Sequence, residues 1–286
     1  MTASCSIDLG CSMTGNIIVD LRSPRAQSSL HCGNKSAWLA TLLSEGVMVP
    51  RGFVVTNEAF SSTHPRTLEE AVSVKLKQYS TDPSALWAVR ASPLQKEKWA
   101  TSQTKTDQSL TRLAVSTAEV PAAIRQVWSS AALQGAVPDG SRVEPPAFPV
   151  AVLVQELVRP SAAGLCFTAE SMRREDKIFV YANYGLGESI AGRAVVPDTH
   201  IVDRDTLEPI MDIIGSKTAQ IVPSSRGLAE TGVSQDQQKR FCLSPADVAA
   251  VAELAKSIEA RMGRPVRVEW AFEEGTLYVV DARRVR

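Results

Sequence analysis

Hydrophobic and polar positions alternate most clearly near the end of the chain, in Arg264 to Arg284, RPVRVEWAFEEGTLYVVDARR. Two short runs rich in Val, Trp, Phe and Tyr flank Glu273-Glu274-Gly275, a composition that predicts two strands joined by a tight turn with its glycine at positive φ. A three-residue loop ending in Gly275 would set Phe272 opposite Thr276. Glu269 would then lie opposite Val279 and diagonal to Asp281, with Arg283 one pair further along the same face. A two-residue turn would send Glu269 and Asp281 to opposite faces. Under the first register Arg267, Glu269, Asp281 and Arg283 share one surface, while Val266, Val268, Trp270, Tyr278 and Val280 go into a core.

The same reading continues along the chain. Ile17-Ile18-Val19 predicts an edge strand. Apolar residues from Ala37 to Leu43 predict a helix that stops at Gly46, and Val49 to Thr56 a turn feeding a strand. Leu68, Val72, Leu76 and Tyr79 define one face of a helix over 67–79. Leu86 to Val89 reads as a short strand that delivers Arg90 to its end. Residues 93–109 have no periodicity and read as a mobile loop. A helix over 120–134, with Pro121 in its first turn, precedes a Pro- and Gly-containing linker over 137–149. Val150 to Val158 is an apolar strand interrupted by Gln155 and Glu156, polar residues that require partners or a ligand when buried. Strands follow at 165–168 and 177–181, a tight turn into a short helix at 185–188, and strand character at 195–203 and 210–214. The polar stretch 224–239 reads as a loop. Ser244, Pro245 and Asp247 form a strong helix start, and the apolar stripe Val248, Val251, Leu254, Ile258, Met262 runs to Gly263. Hairpins without regular strand-helix alternation predict an α/β (α+β) chain with mixed or antiparallel sheets.

Composition narrows the function. The 286 residues carry 31 basic and 31 acidic side chains, so no net field draws the chain to nucleic acid or to an anionic membrane. No cationic leader and no apolar run of membrane-spanning length is present, and the expected location is cytoplasmic. Five scattered cysteines without C-x-x-C predict free thiols rather than disulfides or a zinc site. The three histidines show no metal spacing.

Gly33 and Lys35 at a helix start suit an anion, which the free N–H groups and the Lys charge would hold. No G-x-x-x-x-G-K-[ST] run occurs, and Ile190 stands where a dinucleotide fingerprint needs its third glycine. Two carboxylates beside a guanidinium on the terminal hairpin suit a hard cation carrying a polyphosphate. Ordinary cross-strand salt bridges explain the same charges, and on the hairpin alone both readings stand.

Several separated runs together resemble one family, the N-terminal ATP-binding domain of phosphoenolpyruvate synthase, pyruvate phosphate dikinase and rifampicin phosphotransferase, an ATP-grasp fold. They are GNKSAWLATLLSEGVMVPRGFVVT (33–56), LWAVRAS (86–92), VLVQELV with AGLCFT (152–168), YGLGESIAGRAVVPD (184–198), GSK (215–217) and VEWAFEEGTLYVVDAR (268–283). The resemblance implies one lobe over 1–154, another over 155–286, and ATP in the cleft between them. It makes Lys35, Arg90 and Arg283 phosphate ligands with catalytic weight. It sets Gln155, with Glu156 and Val158, at the hinge beside the adenine, and makes Glu269 and Asp281 the Mg²⁺ ligands. Asp281 stands where these relatives usually have Gln, and Arg267 where an Asp usually precedes the Glu-Trp pair. The loop after Arg90 lacks the family's S-F-A-G-Q run and offers Lys96, Lys98 and Lys105, of which Lys105 is the expected catalytic substitute. The relatives continue into a swivelling domain with a phosphorylatable His, whereas this sequence stops at Arg286. The expected activity is therefore phosphoryl transfer from ATP to a small-molecule acceptor, or to a separate His-bearing phosphocarrier protein. A non-catalytic nucleotide-binding regulatory subunit, or a ligase or adenylyl-transferring enzyme, is the alternative.

Overall fold

The computed structural model describes residues 17–94, 110–134, 150–169, 176–192, 194–224 and 227–285. The chain forms two compact units, residues 1–40 with 51–156 and residues 41–50 with 157–286; the sequence led us to expect lobes of 1–154 and 155–286. Every strand pair within the sheets is antiparallel.

The first unit is built on a five-stranded sheet of β1 (Ile18–Asp20), β2 (Gly52–Val55), β5 (Val150–Glu156), β3 (Leu86–Pro93) and β4 (Thr111–Ser116), in that spatial order. The strand at Ile18 lies at the sheet edge, as its short apolar run predicts. Helix α1 (Ser29–Ser44) kinks at Gly33, and α2 (Asn57–Ser62), α3 (Pro65–Tyr79) and α4 (Val120–Gln134) follow. One face of the sheet, with Phe53, Val55, Trp87, Val89, Val152 and Val154, packs on Leu68, Val72 and Leu76 of α3 and on Ile124 and Val127 of α4. The i, i+4 spacing of the α3 apolar residues is what turns them all inward. Strand β4 was not anticipated. Its residues, TRLAVS, carry too few apolar side chains to signal a strand, and pairing with β3 overrides that weak preference.

The second unit contains a six-stranded sheet in the order β13 (Thr276–Arg284), β12 (Val266–Glu273), β6 (Ala162–Phe167), β7 (Lys177–Tyr184), β8 (Asp198–Asp203) and β9 (Pro209–Ile213). The short α5 (Glu188–Ala191) follows the Gly185 turn as expected. Where a polar loop was expected over 224–239, the chain forms a hairpin, β10 (Ala219–Ser224) with β11 (Gly227–Gly232), and a short α6 (Gln235–Gln238). None of the residues of these two strands is buried, so the hairpin carries none of the apolar alternation that marks a half-buried strand. Helix α7 (Pro245–Met262) starts with the predicted Ser244/Asp247 capping box and ends at Gly263, whose φ of 65° is left-handed. It packs across β6, β7, β8, β12 and β13. No helix among the described residues is long and apolar enough to cross a membrane.

Candidate functional site

In the first unit, adjacent residues of β3 and β5 point to opposite faces of the sheet. The face away from α3 and α4 receives Arg90 and Ser92 from β3, Leu153 and Gln155 from β5, and Gly52 from β2, with Arg90 opposite Leu153 and Gln155 opposite Gly52. Arg90, Ser92 and Gln155 are all buried. A Cβ on Gly52 would lie 2.9 Å from Gln155 Cγ and 2.2 Å from Val154 O, so glycine is what leaves room for the Gln155 side chain. Glu156 faces the other way. Its carboxylate accepts two hydrogen bonds from the Arg51 guanidinium, at 2.9 and 2.7 Å. The sequence asked for a partner for each of these polar residues, and for Glu156 that partner is a protein side chain.

The turn that carries Lys35 is brought to this face through a backbone device. Gly33 adopts φ 73° and ψ 164°, interrupting α1, and a Cβ there would sit 1.8 Å from the Ser92 carbonyl oxygen. The chain after the kink is tied to β3: Asn34 Nδ2 donates to Leu94 O at 3.0 Å and the Ser36 N–H donates to Ser92 Oγ at 3.0 Å. The helical turn that carries Lys35 is thereby held two residues beyond Arg90. Lys96, Lys98 and Lys105 lie outside the described residues.

In the second unit the terminal hairpin differs from the expected register. The turn has two residues, Glu274 and Gly275, at φ 50° and 79°, and Glu273 pairs with Thr276. Positive φ at both central residues is the signature of the tight turn whose twist matches antiparallel strands. A regular ladder from this turn would separate Glu269 from Asp281. A register shift beside Trp270 prevents it: Trp270 pairs with Val279 but Glu269 pairs with Asp281, leaving Val280 as the extra residue of a β-bulge. Glu269 and Asp281 therefore lie directly opposite each other, and Arg267 lies directly opposite Arg283, all on one face. The expected shared surface exists, though by a different route. The same bulge corrects the core assignment. Val266, Val268 and Trp270 are buried as expected, joined by Val279 and Ala282, whereas Tyr278 and Val280 pack on the other face against Val158, Ala163 and Ala271.

That face of the hairpin thus has three successive rows: an apolar group around Ala271 and Val158, then the two carboxylates, then the two guanidiniums. Asp281 is buried at 1% exposure and accepts from Arg283 Nε at 2.8 Å, with Arg283 Nη2 also 2.8 Å from the same oxygen. Glu269 Oε1 accepts from Arg267 Nη2 and lies 3.7 Å from Arg283 Nη2. Among the described residues no group of three or more His, Cys, Asp or Glu side chains is placed to hold a metal by itself. Two carboxylates on rigid strands still suit Mg²⁺, which takes one or two protein carboxylates and completes its shell with phosphate and water. The described thiols are poor nucleophiles: burial pushes Cys32 up to about 11, and burial also raises Cys166 and Cys242.

A feature that sequence reasoning missed sits behind the sheet. Lys217 and Asp198 form an ion pair with both side chains fully buried. Lys217 Nζ also donates to Gly215 O at 3.2 Å, and Asp198 accepts from the Gly215 N–H at 2.8 Å and the Cys242 N–H at 2.9 Å. The GSK run was visible, but the carboxylate that pairs with its lysine lies 19 residues earlier.

The chain matches the family model described as pyruvate phosphate dikinase, AMP/ATP-binding domain, over residues 61–286. It is 34% identical over 145 residues to phosphoenolpyruvate synthase of Pseudomonas aeruginosa, a match covering 46% of this chain and 18% of that protein. Rifampicin phosphotransferase of Streptomyces sviceus is 25% identical over 316 residues, covering 96% of this chain and 36% of that protein. Among solved structures, D-alanine–D-alanine ligase from Bacillus anthracis complexed with ATP aligns with 90% of this chain and 57% of its own, at a TM-score of 0.38 and 9% identity. The chain thus spans about 18% and 36% of the length of these two curated relatives. With most of its length matched by one family model, the chain belongs to the pyruvate phosphate dikinase AMP/ATP-binding domain family.

Proposed function

We propose that this chain binds Mg·ATP in an ATP-grasp manner and acts in phosphoryl transfer from it to a small-molecule acceptor. The observation that carries the reading is the order of the three rows on the terminal hairpin: apolar residues, paired carboxylates, paired guanidiniums. That order suits a metal-bound nucleotide, with the base and sugar at the apolar end and the phosphates with the cation they bind at the charged end. Successive rows on one face of a strand are roughly 7 Å apart, so the three rows suit a nucleotide with an extended phosphate chain. Val158 and Ala271 would meet the base or sugar, with Gln155 of the first unit as a further polar contact to the base. Glu269 and Asp281 would hold Mg²⁺. Arg283, Lys35 and Arg90 would meet the phosphates. The bound cation would neutralise charge on the phosphate oxygens. The residues would supply the rest, which in phosphoryl transfer is mainly positioning and electrostatic stabilisation. Lys105 remains the proposed catalytic lysine of the 93–109 segment.

A second reading is transfer to a His outside the matched region; the relatives that match this chain extend well beyond the matched part.

Calorimetry with Mg·ATP on the wild type and on Glu269→Gln tests the binding assignment. The variant is expected to lose at least roughly tenfold in Mg²⁺-dependent affinity, the scale of one charge-assisted contact. Equal affinities would remove the metal assignment. Product analysis with γ- and β-labelled ATP separates the two acceptors. Label reaching a small molecule without a second protein supports the first reading, and label appearing only after a His-bearing protein is added supports the second.

A further inference from the structure

We propose that Arg267 is a second phosphate-binding guanidinium of the hairpin, and that it exchanges Glu269 for a phosphate oxygen when a divalent cation takes Glu269. The inference rests on the Mg·ATP reading above, which counts Arg267 only as one of the paired guanidiniums, and gives that residue a specific role.

Three observations lead to it. Arg267 lies directly opposite Arg283 across the two strands, and like charges at such a pair repel unless something compensates. The compensation is the neighbouring pair, Glu269 opposite Asp281, so two positive charges meet two negative ones. The Arg267 guanidinium is also only partly satisfied. Its Nη2 donates to Glu269, while its Nε is buried and has no hydrogen-bond partner among the described residues. A buried donor left without an acceptor is costly, and guanidinium geometry fits two oxygens of one phosphate.

Charge bookkeeping then sets the behaviour. A divalent cation at Glu269 and Asp281 turns a neutral patch into one with two positive charges, and it withdraws the Glu269 oxygen from Arg267. Both changes favour a polyanion at the arginines. Without Arg267, the remaining Arg283 and two carboxylates carry a net negative charge and attract a cation with no nucleotide present. Arg267 therefore makes cation and polyphosphate bind together rather than cation alone. The device is a specificity element built by one residue.

The test measures Mn²⁺ binding by the loss of the free-ion EPR signal, with and without a non-hydrolysable ATP analogue, for wild type, Arg267→Gln and Arg267→Lys. Far-UV circular dichroism checks the fold. In Arg267→Gln, Mn²⁺ alone is expected to bind roughly tenfold tighter, and the gain in analogue affinity conferred by Mn²⁺ to fall roughly tenfold, the scale of one charge-assisted hydrogen bond. Arg267→Lys keeps the charge and loses the fork, so Mn²⁺ alone should bind as in wild type while the gain in analogue affinity still drops. Wild-type values for both quantities in Arg267→Gln overturn the proposal and leave Arg267 an ordinary cross-strand ion pair. Should the glutamine variant fail to fold, an Arg267→Lys protein with an undiminished analogue gain overturns it instead. If the wild type binds no analogue with Mn²⁺ present, the Mg·ATP reading itself fails. If it binds with a Mn²⁺-dependent gain that neither variant changes, only the role of Arg267 fails.

Discussion

Replacing Gly33 by alanine tests how the first unit places Lys35. The backbone at Gly33, φ 73° and ψ 164°, lies in a region that is essentially glycine-only and costs other residues about 1–3 kcal/mol. The added Cβ would also lie 1.8 Å from the Ser92 carbonyl oxygen. Relieving such an overlap requires the backbone to shift, at about 1–3 kcal/mol more. The sum, roughly 2–6 kcal/mol, is a large part of the 5–15 kcal/mol that keeps a typical domain folded. At about 2–4 °C per kcal/mol for a protein of this size class, the thermal midpoint should fall by about 4–24 °C. Because the kink sits two residues before Lys35 and contacts β3 two residues beyond Arg90, the shift should also separate these two groups. A displacement of about 1 Å is enough to cost a positioned site a large factor, so nucleotide affinity should drop together with stability. Ser92→Ala should not rescue Gly33→Ala, since the nearest atom is main-chain oxygen. Differential scanning fluorimetry and calorimetry with Mg·ATP read the two effects. A midpoint within 2 °C of wild type, together with unchanged affinity, would refute the reasoning.

Other perturbations have equally definite outcomes. Lys217→Met leaves the buried Asp198 carboxylate without its cation and should cost about 3–5 kcal/mol in urea unfolding; adding Asp198→Asn should recover part of that loss, and a fully additive double variant would contradict the pairing. Burial pushes the Asp20 carboxyl up, but the Tyr79 hydroxyl, the Arg22 N–H and Lys75 together hold it below the usual carboxylate range. Its stabilisation is therefore present above the unfolded value of about 3.9 and lost as pH falls through the lower folded value. Asp20→Asn should flatten the acid limb of a stability-pH curve, and an unchanged limb would show that Asp20 contributes nothing there. Cys166 in the folded protein should resist alkylation at pH 8 and react only with unfolding, as mapped by peptide mass spectrometry. Rapid native labelling at that position would contradict its burial.

The amino-acid sequence alone determined the features that depend on near neighbours. The α7 capping box, the α3 stripe of Leu68, Val72 and Leu76, and the short edge strand at Ile18 follow from contacts within a few residues, and each is found where its pattern set it. The residues of the terminal charge cluster were legible too, because a strand lists one face at every second position. What sequence could not decide was which of them would meet. Glu269 reaches Asp281 through a bulge at Val280, and a bulge has no compositional mark in a run of β-branched residues. The turn of Lys35 is held against β3 by a fit between Gly33 and the Ser92 carbonyl, Glu156 finds Arg51 across the sheet, and Lys217 finds Asp198. Strand β4 and the β10–β11 hairpin were missed because their pairing energy comes from main-chain hydrogen bonds, which every sequence can make. Local pattern fixes which face a side chain takes, but register, bulge and close approach are settled by packing between segments distant in sequence, and only the folded chain holds them together.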